Sequence, residues 1–266
     1  MIRSKQESGN LRLWFADFDG QYLTENVDFV PKENEPICSE LERLYPEILQ
    51  EVSFLWTNQG SRENPFNNYN SFDDKQSPVG SWKKIVLKVW GLTARKNVIQ
   101  FPIIHSLLSK NHQRITSCQI TRLAPGSVIK PHCGETNSIV RLHLGLNVPD
   151  KPVEECGIRV GMTKRRWKNG EVLCFLDAID HDVWNYSESY RYILIVDVLR
   201  PEFQHSANLI CSHIIVSQAV FMLLIKLRLR NLAELLPSTF FSFLAHLFQY
   251  PVSLLSYTLN YRLKDA

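Results

Sequence analysis

Ile139-Val140-Arg141-Leu142-His143-Leu144-Gly145-Leu146 and Arg191-Tyr192-Ile193-Leu194-Ile195-Val196-Asp197-Val198 are the stretches that decide the fold. Successive residues of a strand face opposite ways. In the first stretch Ile139, Arg141, His143 and Gly145 therefore share one face, and Val140, Leu142, Leu144 and Leu146 share the other. In the second, Arg191, Ile193, Ile195 and Asp197 lie opposite Tyr192, Leu194, Val196 and Val198. Polar groups backed by an apolar face fit two arrangements. One is a barrel with polar groups at its mouth; the other is a half-buried sheet that leaves these residues in solvent. Strand signals cover 115–123, 139–148, 157–160, 171–177, 182–186 and 190–199, separated by turns containing Pro, Gly or Asp. Many short antiparallel strands in one block predict a mainly β fold with flanking helices, a double-sheet jelly roll or cupin-like barrel.

Upstream, the pattern changes to helical. Ser39 precedes Glu40-Leu41-Glu42-Arg43-Leu44, and apolar residues continue through Ile48, Leu49 and Val52. This predicts a helix capped by Ser39, with Pro46 kinking it or moving its start. Residues 57–80, rich in Asn, Ser, Gly, Asp and Pro, read as a long loop able to cover a site. Trp82 to Val89 reads as a strand, and Pro102 opens a short helix through Leu107 and Leu108.

Residues 204–266 differ from the rest. Leu209–Ile225 and Leu235–Tyr261 carry no formal charge, and between them lies Lys226-Leu227-Arg228-Leu229-Arg230. Two apolar stretches around a basic loop fit a membrane hairpin, a pair of surface-lying helices, or a helical pair packed on the barrel or a second subunit. His213, Gln218, His246, Gln249, Pro237 and Pro251 interrupt them as spans. The chain thus divides into a domain at 1–203 and a hydrophobic helical tail at 204–266, possible membrane contact being confined to the tail.

Composition narrows the function. With 266 residues the chain can bury a full core. Lys plus Arg number 30 against 27 Asp plus Glu, which gives no electrostatic case for a nucleic-acid partner. The N-terminus is hydrophilic and lacks the apolar run of a signal peptide. Cys38, Cys118, Cys133, Cys156, Cys174 and Cys211 show no CxxC spacing and read as reduced core thiols, which favours a cytoplasmic setting over a disulfide framework.

The chemistry-bearing residues are His132, Arg141, His143, His181 and Arg191. Neutral imidazoles suit iron, and arginine forks suit carboxylates, so together they suggest a metal beside an acidic cosubstrate. Two histidines at long spacing are a weak metal signal by themselves, and they do not name a reaction. Trp82, Trp90, Trp167 and Trp184 read as packing residues. Asp177, Asp180 and Asp182 read as turn residues or as partners orienting the imidazole of His181. Lys164-Arg165-Arg166 reads as a solvated hairpin.

Several motifs in order resemble the aspartyl/asparaginyl β-hydroxylase family. They are Pro131-His132-Cys133-Gly134-Glu135-Thr136-Asn137, Arg141-Leu142-His143-Leu144-Gly145-Leu146 and Trp167-Lys168-Asn169-Gly170-Glu171-Val172-Leu173. Phe175-Leu176-Asp177, His181-Asp182-Val183-Trp184, Arg191, Ile195-Val196-Asp197-Val198 and Pro201-Glu202 continue the likeness. It covers residues 80–203 well, the first eighty loosely and the tail not at all. The resemblance implies a double-stranded β-helix and a dioxygenase dependent on Fe(II) and 2-oxoglutarate, which uses O2 to hydroxylate an unactivated C–H with release of succinate and carbon dioxide. It implies His132 and His181 as iron ligands, and Arg191 with Thr121 on the distal carboxylate of 2-oxoglutarate. Arg141 and His143 would hold the carboxylate next to the keto group. Many related dioxygenases place Asp or Glu two residues after the first histidine; here that residue is Gly134, as in this family, and water is expected in its place. Glu135 is off register by one, and Cys133 reads as packing. The implied substrate is an Asp or Asn side chain of a peptide or protein. A membrane lipid acyl chain is the alternative, and a non-catalytic jelly-roll binding module is a further one.

Overall fold

A computed structural model describes residues 27–57, 66, 81–227, 243–244 and 247–248. Helices α1 (Pro36–Arg43), α2 (Tyr45–Val52) and α3 (Phe54–Thr57) come first. Strands β1 (Trp82–Val89) and β2 (Leu92–Thr93) precede helices α4 (Arg95–Val98) and α5 (Pro102–Lys110). The chain then runs through β3 (Ile115–Leu123), β4 (Ser127–His132), β5 (Ile139–Asn147), β6 (Cys156–Val160) and β7 (Thr163–Arg165). It continues through β8 (Val172–Phe175), β9 (His181–Asn185) and β10 (Arg191–Leu199) to helix α6 (Ala207–Lys226).

The helix expected from Ser39 starts earlier and is split. Pro36 stands in the first turn of α1, where its missing N–H is no loss. The Glu35 carboxylate caps that turn by accepting from the Ile37 N–H at 3.1 Å. Ser39 therefore lies inside α1, and the break falls at Leu44, ahead of Pro46 in the first turn of α2.

Two antiparallel sheets make the jelly roll, and they face one another without closing into a barrel. One has the order β2-β1-β3-β10-β5-β8 and the other β4-β9-β6-β7. Between them lies an apolar layer that includes Leu123, Ile129, Ile158, Phe175, Val183 and Ile193. The outer face of the larger sheet packs Val140, Leu142, Leu144, Leu194 and Val196 against α1, α2 and α5. Each such Val, Leu or Ile contributes about 1.5–3 kcal/mol by leaving water. Every residue of β10 is consequently buried, and β5 is buried apart from two half-buried positions. This removes the arrangement in which Arg141, His143 and Arg191 stand in solvent. They occupy the inner face of a two-layer fold.

Helix α6 lies on the domain. Ile210, Cys211 and Ile214 pack with Trp90, Ile139, Leu199 and Phe203, and Gln218 Nε2 donates to Glu135 Oε1 at 3.4 Å. Among the described residues no helix is long and apolar enough to cross a membrane. Most of the second apolar stretch, most of the 57–80 loop and residues 1–26 lie outside the described residues. None of the six cysteines is in a disulfide, and five of them are buried.

Candidate active site

Strands β4 and β9 pair so that His132 stands directly across from His181. The two rings lie with centroids 4.2 Å apart and planes 51° from parallel. Each ring is tethered by the carbonyl two residues earlier in the chain. His132 Nδ1–H donates to Lys130 O at 2.8 Å, and His181 Nδ1–H donates to Ile179 O at 2.7 Å. A carbonyl only accepts, so the proton of each neutral ring sits on Nδ1 and the Nε2 lone pair is left for a metal. Burial pushes both imidazoles away from the charged form. His132 falls well below its ordinary value, helped by His181, and His181 falls to about 3. Both are therefore ligand-ready at neutral pH.

Gly134 is where a third carboxylate would stand in many related sites. A Cβ there would lie 1.6 Å from Asp177 Oδ2, so the Asp177 side chain already fills the place. The Gly134 N–H also donates to the Asp177 carbonyl at 2.7 Å. Asp177 is fully buried, and its Oδ1 lies 3.5 Å from His181 Nε2. Among the described residues no group of three or more His, Cys, Asp or Glu side chains is placed to hold a metal ion.

Arg141 is held between two buried carboxylates. Its Nε and Nη2 donate to the two oxygens of Asp197 at 2.7 and 3.0 Å, and its Nη1 donates to Asp177 Oδ1. Asp197 stands directly opposite Arg141 on β10, which makes the fork a cross-strand pair. Burial opposes the guanidinium charge, but Asp177 and Asp197 more than offset it and hold its pKa above the ordinary value. One N–H on each of Nη1 and Nη2 is not used by these carboxylates. Glu135 stands nearby; burial and then Asp177 raise its carboxyl pKa, against the pull of Arg141.

Arg191 is the opposite case. It is 1% exposed, and among the described residues no carboxylate pairs with it. Its guanidinium lies over the Trp167 ring, 4.6 Å from the centroid, and its Nε has no hydrogen-bond partner. Burial alone draws its pKa down to about 10. Thr121 is fully buried, and among the described residues its hydroxyl also has no partner. In the β3–β10 pairing Arg191 faces Leu123 and Ile193 faces Thr121, so the guanidinium and the hydroxyl are diagonal neighbours on one face. His143, across from Ile195, adds a third orphan: its Nε2 is buried and has no partner among the described residues. Burial, with Arg141 and Arg191 adding to it, keeps this imidazole neutral. A buried cation without a counter-ion, a hydroxyl and an imidazole N–H form a donor set that fits a carboxylate-bearing ligand.

The sequence-predicted residues thus fall into two groups. His132 and His181 come together directly. Arg191, Thr121 and His143 line the layer between the sheets, and Arg141 is engaged by Asp177 and Asp197. Asp177, which the sequence left open between a turn residue and a partner of the His181 imidazole, lies 3.5 Å from His181 Nε2 and also accepts from Arg141. Two roles carried no signal in the sequence: Asp197 as the partner of Arg141, and Trp167, read as packing, which touches both Arg191 and His143. The period-two alternation that puts Asp197 on the Arg141 side was the one available clue. Lys164, Arg165 and Arg166 are exposed, as a solvated hairpin should be.

The family model for aspartyl/asparaginyl beta-hydroxylase matches residues 42–201. Among curated relatives, an ornithine lipid ester-linked acyl 2-hydroxylase of Rhizobium tropici is 30% identical over 62% of this chain. An aspartyl/asparaginyl beta-hydroxylase of Mus musculus is 35% identical over 49% of it. The matched region spans 58% of the first relative and 18% of the second. Among solved structures, HygX of Streptomyces hygroscopicus with nickel and 2-oxoglutarate bound aligns over 57% of this chain and 79% of its own, at TM-score 0.39 and 12% identity. A predicted oxalate decarboxylase of Thermotoga maritima aligns over 49% and 90%, at TM-score 0.34 and 13% identity.

Proposed function

Because the chain belongs to the aspartyl/asparaginyl β-hydroxylase family, we propose that it is a hydroxylase dependent on Fe(II) and 2-oxoglutarate. The observation that carries this reading is the pairing of two neutral imidazoles with a buried arginine that, among the described residues, has no counter-ion. His132 and His181 would hold the ferrous ion through Nε2. Arg191 and Thr121 would bind the distal carboxylate of 2-oxoglutarate. His143 and the remaining N–H groups of Arg141 would take the carboxylate beside the keto group. When bound, the iron supplies O2 activation, coupling decarboxylation of 2-oxoglutarate to insertion of one oxygen atom into a C–H bond. The protein's share is to keep both imidazoles unprotonated, orient the diacid by its two ends and exclude water from the layer between the sheets. Our first reading of the substrate is an Asp or Asn side chain of a peptide or protein, the class named for the mouse relative.

A lipid acyl chain is the second reading. It is favoured by Leu223, Leu227, Phe243, Leu247 and Phe248, all exposed and all in the C-terminal part of the chain. Contact with a bilayer in a reducing compartment belongs to this reading, since the neighbouring Lys226, Arg228 and Arg230 suit anionic headgroups. Succinate release by the full chain with Fe(II), 2-oxoglutarate and O2 tests the enzyme, with His132→Ala and Arg191→Ala as controls. Turnover that ignores both changes overturns the assignment. Mass spectrometry of peptides and lipids from cells with and without active protein, seeking one added oxygen, decides the substrate class.

A further inference from the structure

Three histidines lie in this site, and their Nδ1 partners divide them into two kinds. His132 and His181 meet carbonyl oxygens, which forces the proton onto Nδ1. His143 Nδ1 instead meets the indole N–H of Trp167 at 3.3 Å. An indole N–H only donates, so His143 Nδ1 must accept, and the proton of the neutral ring sits on Nε2. That N–H is buried without a partner among the described residues. His143 is therefore built to donate to a ligand and not to bind metal through Nε2.

The same indole carries the second cosubstrate arginine. The Arg191 guanidinium lies over its ring, 4.6 Å from the centroid. A guanidinium over an indole face is attracted by the ring quadrupole, which offsets part of the burial of an unpaired charge. Trp167 thus touches both groups expected to bind the two ends of a diacid.

Its own placement is over-determined. Trp167 is the one buried residue between Met162 and Asn169. Just past it the chain is fastened to the end of β5: Gly170 N–H donates to Gly145 O at 2.9 Å, and Val148 N–H donates to Asn169 Oδ1 at 2.8 Å. A Cβ on Gly145 would meet Lys168 O at 2.2 Å, so the glycine lets the two backbones close. Gly145 is two residues from His143, on the same face of the strand.

We infer that Trp167 is a positioning residue for the diacid, holding His143 in its Nε2–H form and Arg191 in place, so that donors await both ends of one dianion. The inference rests on the proposed 2-oxoglutarate site and adds a residue to it. Trp167→Phe keeps a ring beneath Arg191 and removes the N–H; Trp167→Leu removes both. Loss of a residue that orients metal-ligating side chains typically costs about 10–100-fold in metal affinity or activity, and a residue that orients the donors to the diacid should act on the same scale. We expect Trp167→Phe to weaken 2-oxoglutarate binding to the Mn(II)-loaded protein by about tenfold, with Mn(II) affinity and melting temperature near wild type. Trp167→Leu should weaken it further. Nitrogen-15 NMR of the metal-free wild type should show the His143 proton on Nε2, and Trp167→Phe should release that preference. Unchanged 2-oxoglutarate affinity in Trp167→Phe, or a wild-type His143 proton on Nδ1, overturns the inference. If wild type binds no 2-oxoglutarate, the parent site reading fails instead, and the tautomer measurement still decides whether Trp167 sets His143.

Discussion

Asp177 occupies the volume that a side chain at Gly134 would need, its Oδ2 lying 1.6 Å from where that Cβ would stand. The two positions are thus coupled: the glycine exists so that a buried carboxylate from another part of the chain can reach His181 and Arg141. Gly134→Ala is expected to destabilise the protein by about 1–3 kcal/mol, since an over-packed buried site must shift. It should also lower Mn(II) affinity. In an Asp177→Ala background the same change should cost much less, and a double-mutant cycle read by thermal melting checks the coupling.

Arg191 is held at a cost that the Trp167 ring offsets only in part. A pKa drawn from 12.5 to about 10 corresponds to a burden on the order of 3 kcal/mol at neutral pH. Arg191→Met should raise the melting temperature of the ligand-free protein while abolishing the stabilisation that 2-oxoglutarate gives to wild type. Scanning calorimetry with and without the diacid tests both halves.

Lys88 predicts a stability gain remote from the chemistry. It is 1% exposed, it donates to His112 O at 3.0 Å, and burial lowers its pKa to about 8. With the folded value below the unfolded 10.5, the folded state binds the proton less well, so stability rises with pH between about 8 and 10.5. Lys88→Met should stabilise the protein at pH 7 by about 1–2 kcal/mol, after loss of the hydrogen bond. Denaturation at pH 7 and pH 10 should show that advantage shrinking as the lysine neutralises.

The imidazoles give the acid limb. His181 is held at about 3, and His132 is also depressed, mainly by burial. A histidine whose folded pKa is lowered contributes stability that is complete above the unfolded value near 6.5 and is lost as pH falls toward the folded one. The metal-free protein should therefore weaken between about pH 6.5 and 3, and His181→Asn should flatten that slope. Urea denaturation across the window measures it.

Much of this was legible in the chain. Alternation in 139–146 and 190–198 gave the paired strands β5 and β10 and set Arg141, His143 and Arg191 on one face. What alternation cannot give is the second layer: a polar residue opposite an apolar face reads alike whether another sheet or water covers it. β4 escaped because Pro131 breaks the strand signal around His132. Ser39 looked like a cap, but Glu35 and Pro36 begin the helix. Asp177 and Trp167 sit in irregular segments, where no period links sequence position to spatial neighbours.

The most direct measurement is anaerobic calorimetry of 2-oxoglutarate binding to the full chain with and without Mn(II). One diacid per chain should bind, tightly only when the metal is present, and binding should vanish in either His132→Ala or Arg191→Met. Equal affinity with and without the metal, or an unaltered isotherm in Arg191→Met, would contradict a shared site for the two imidazoles and the unpaired guanidinium.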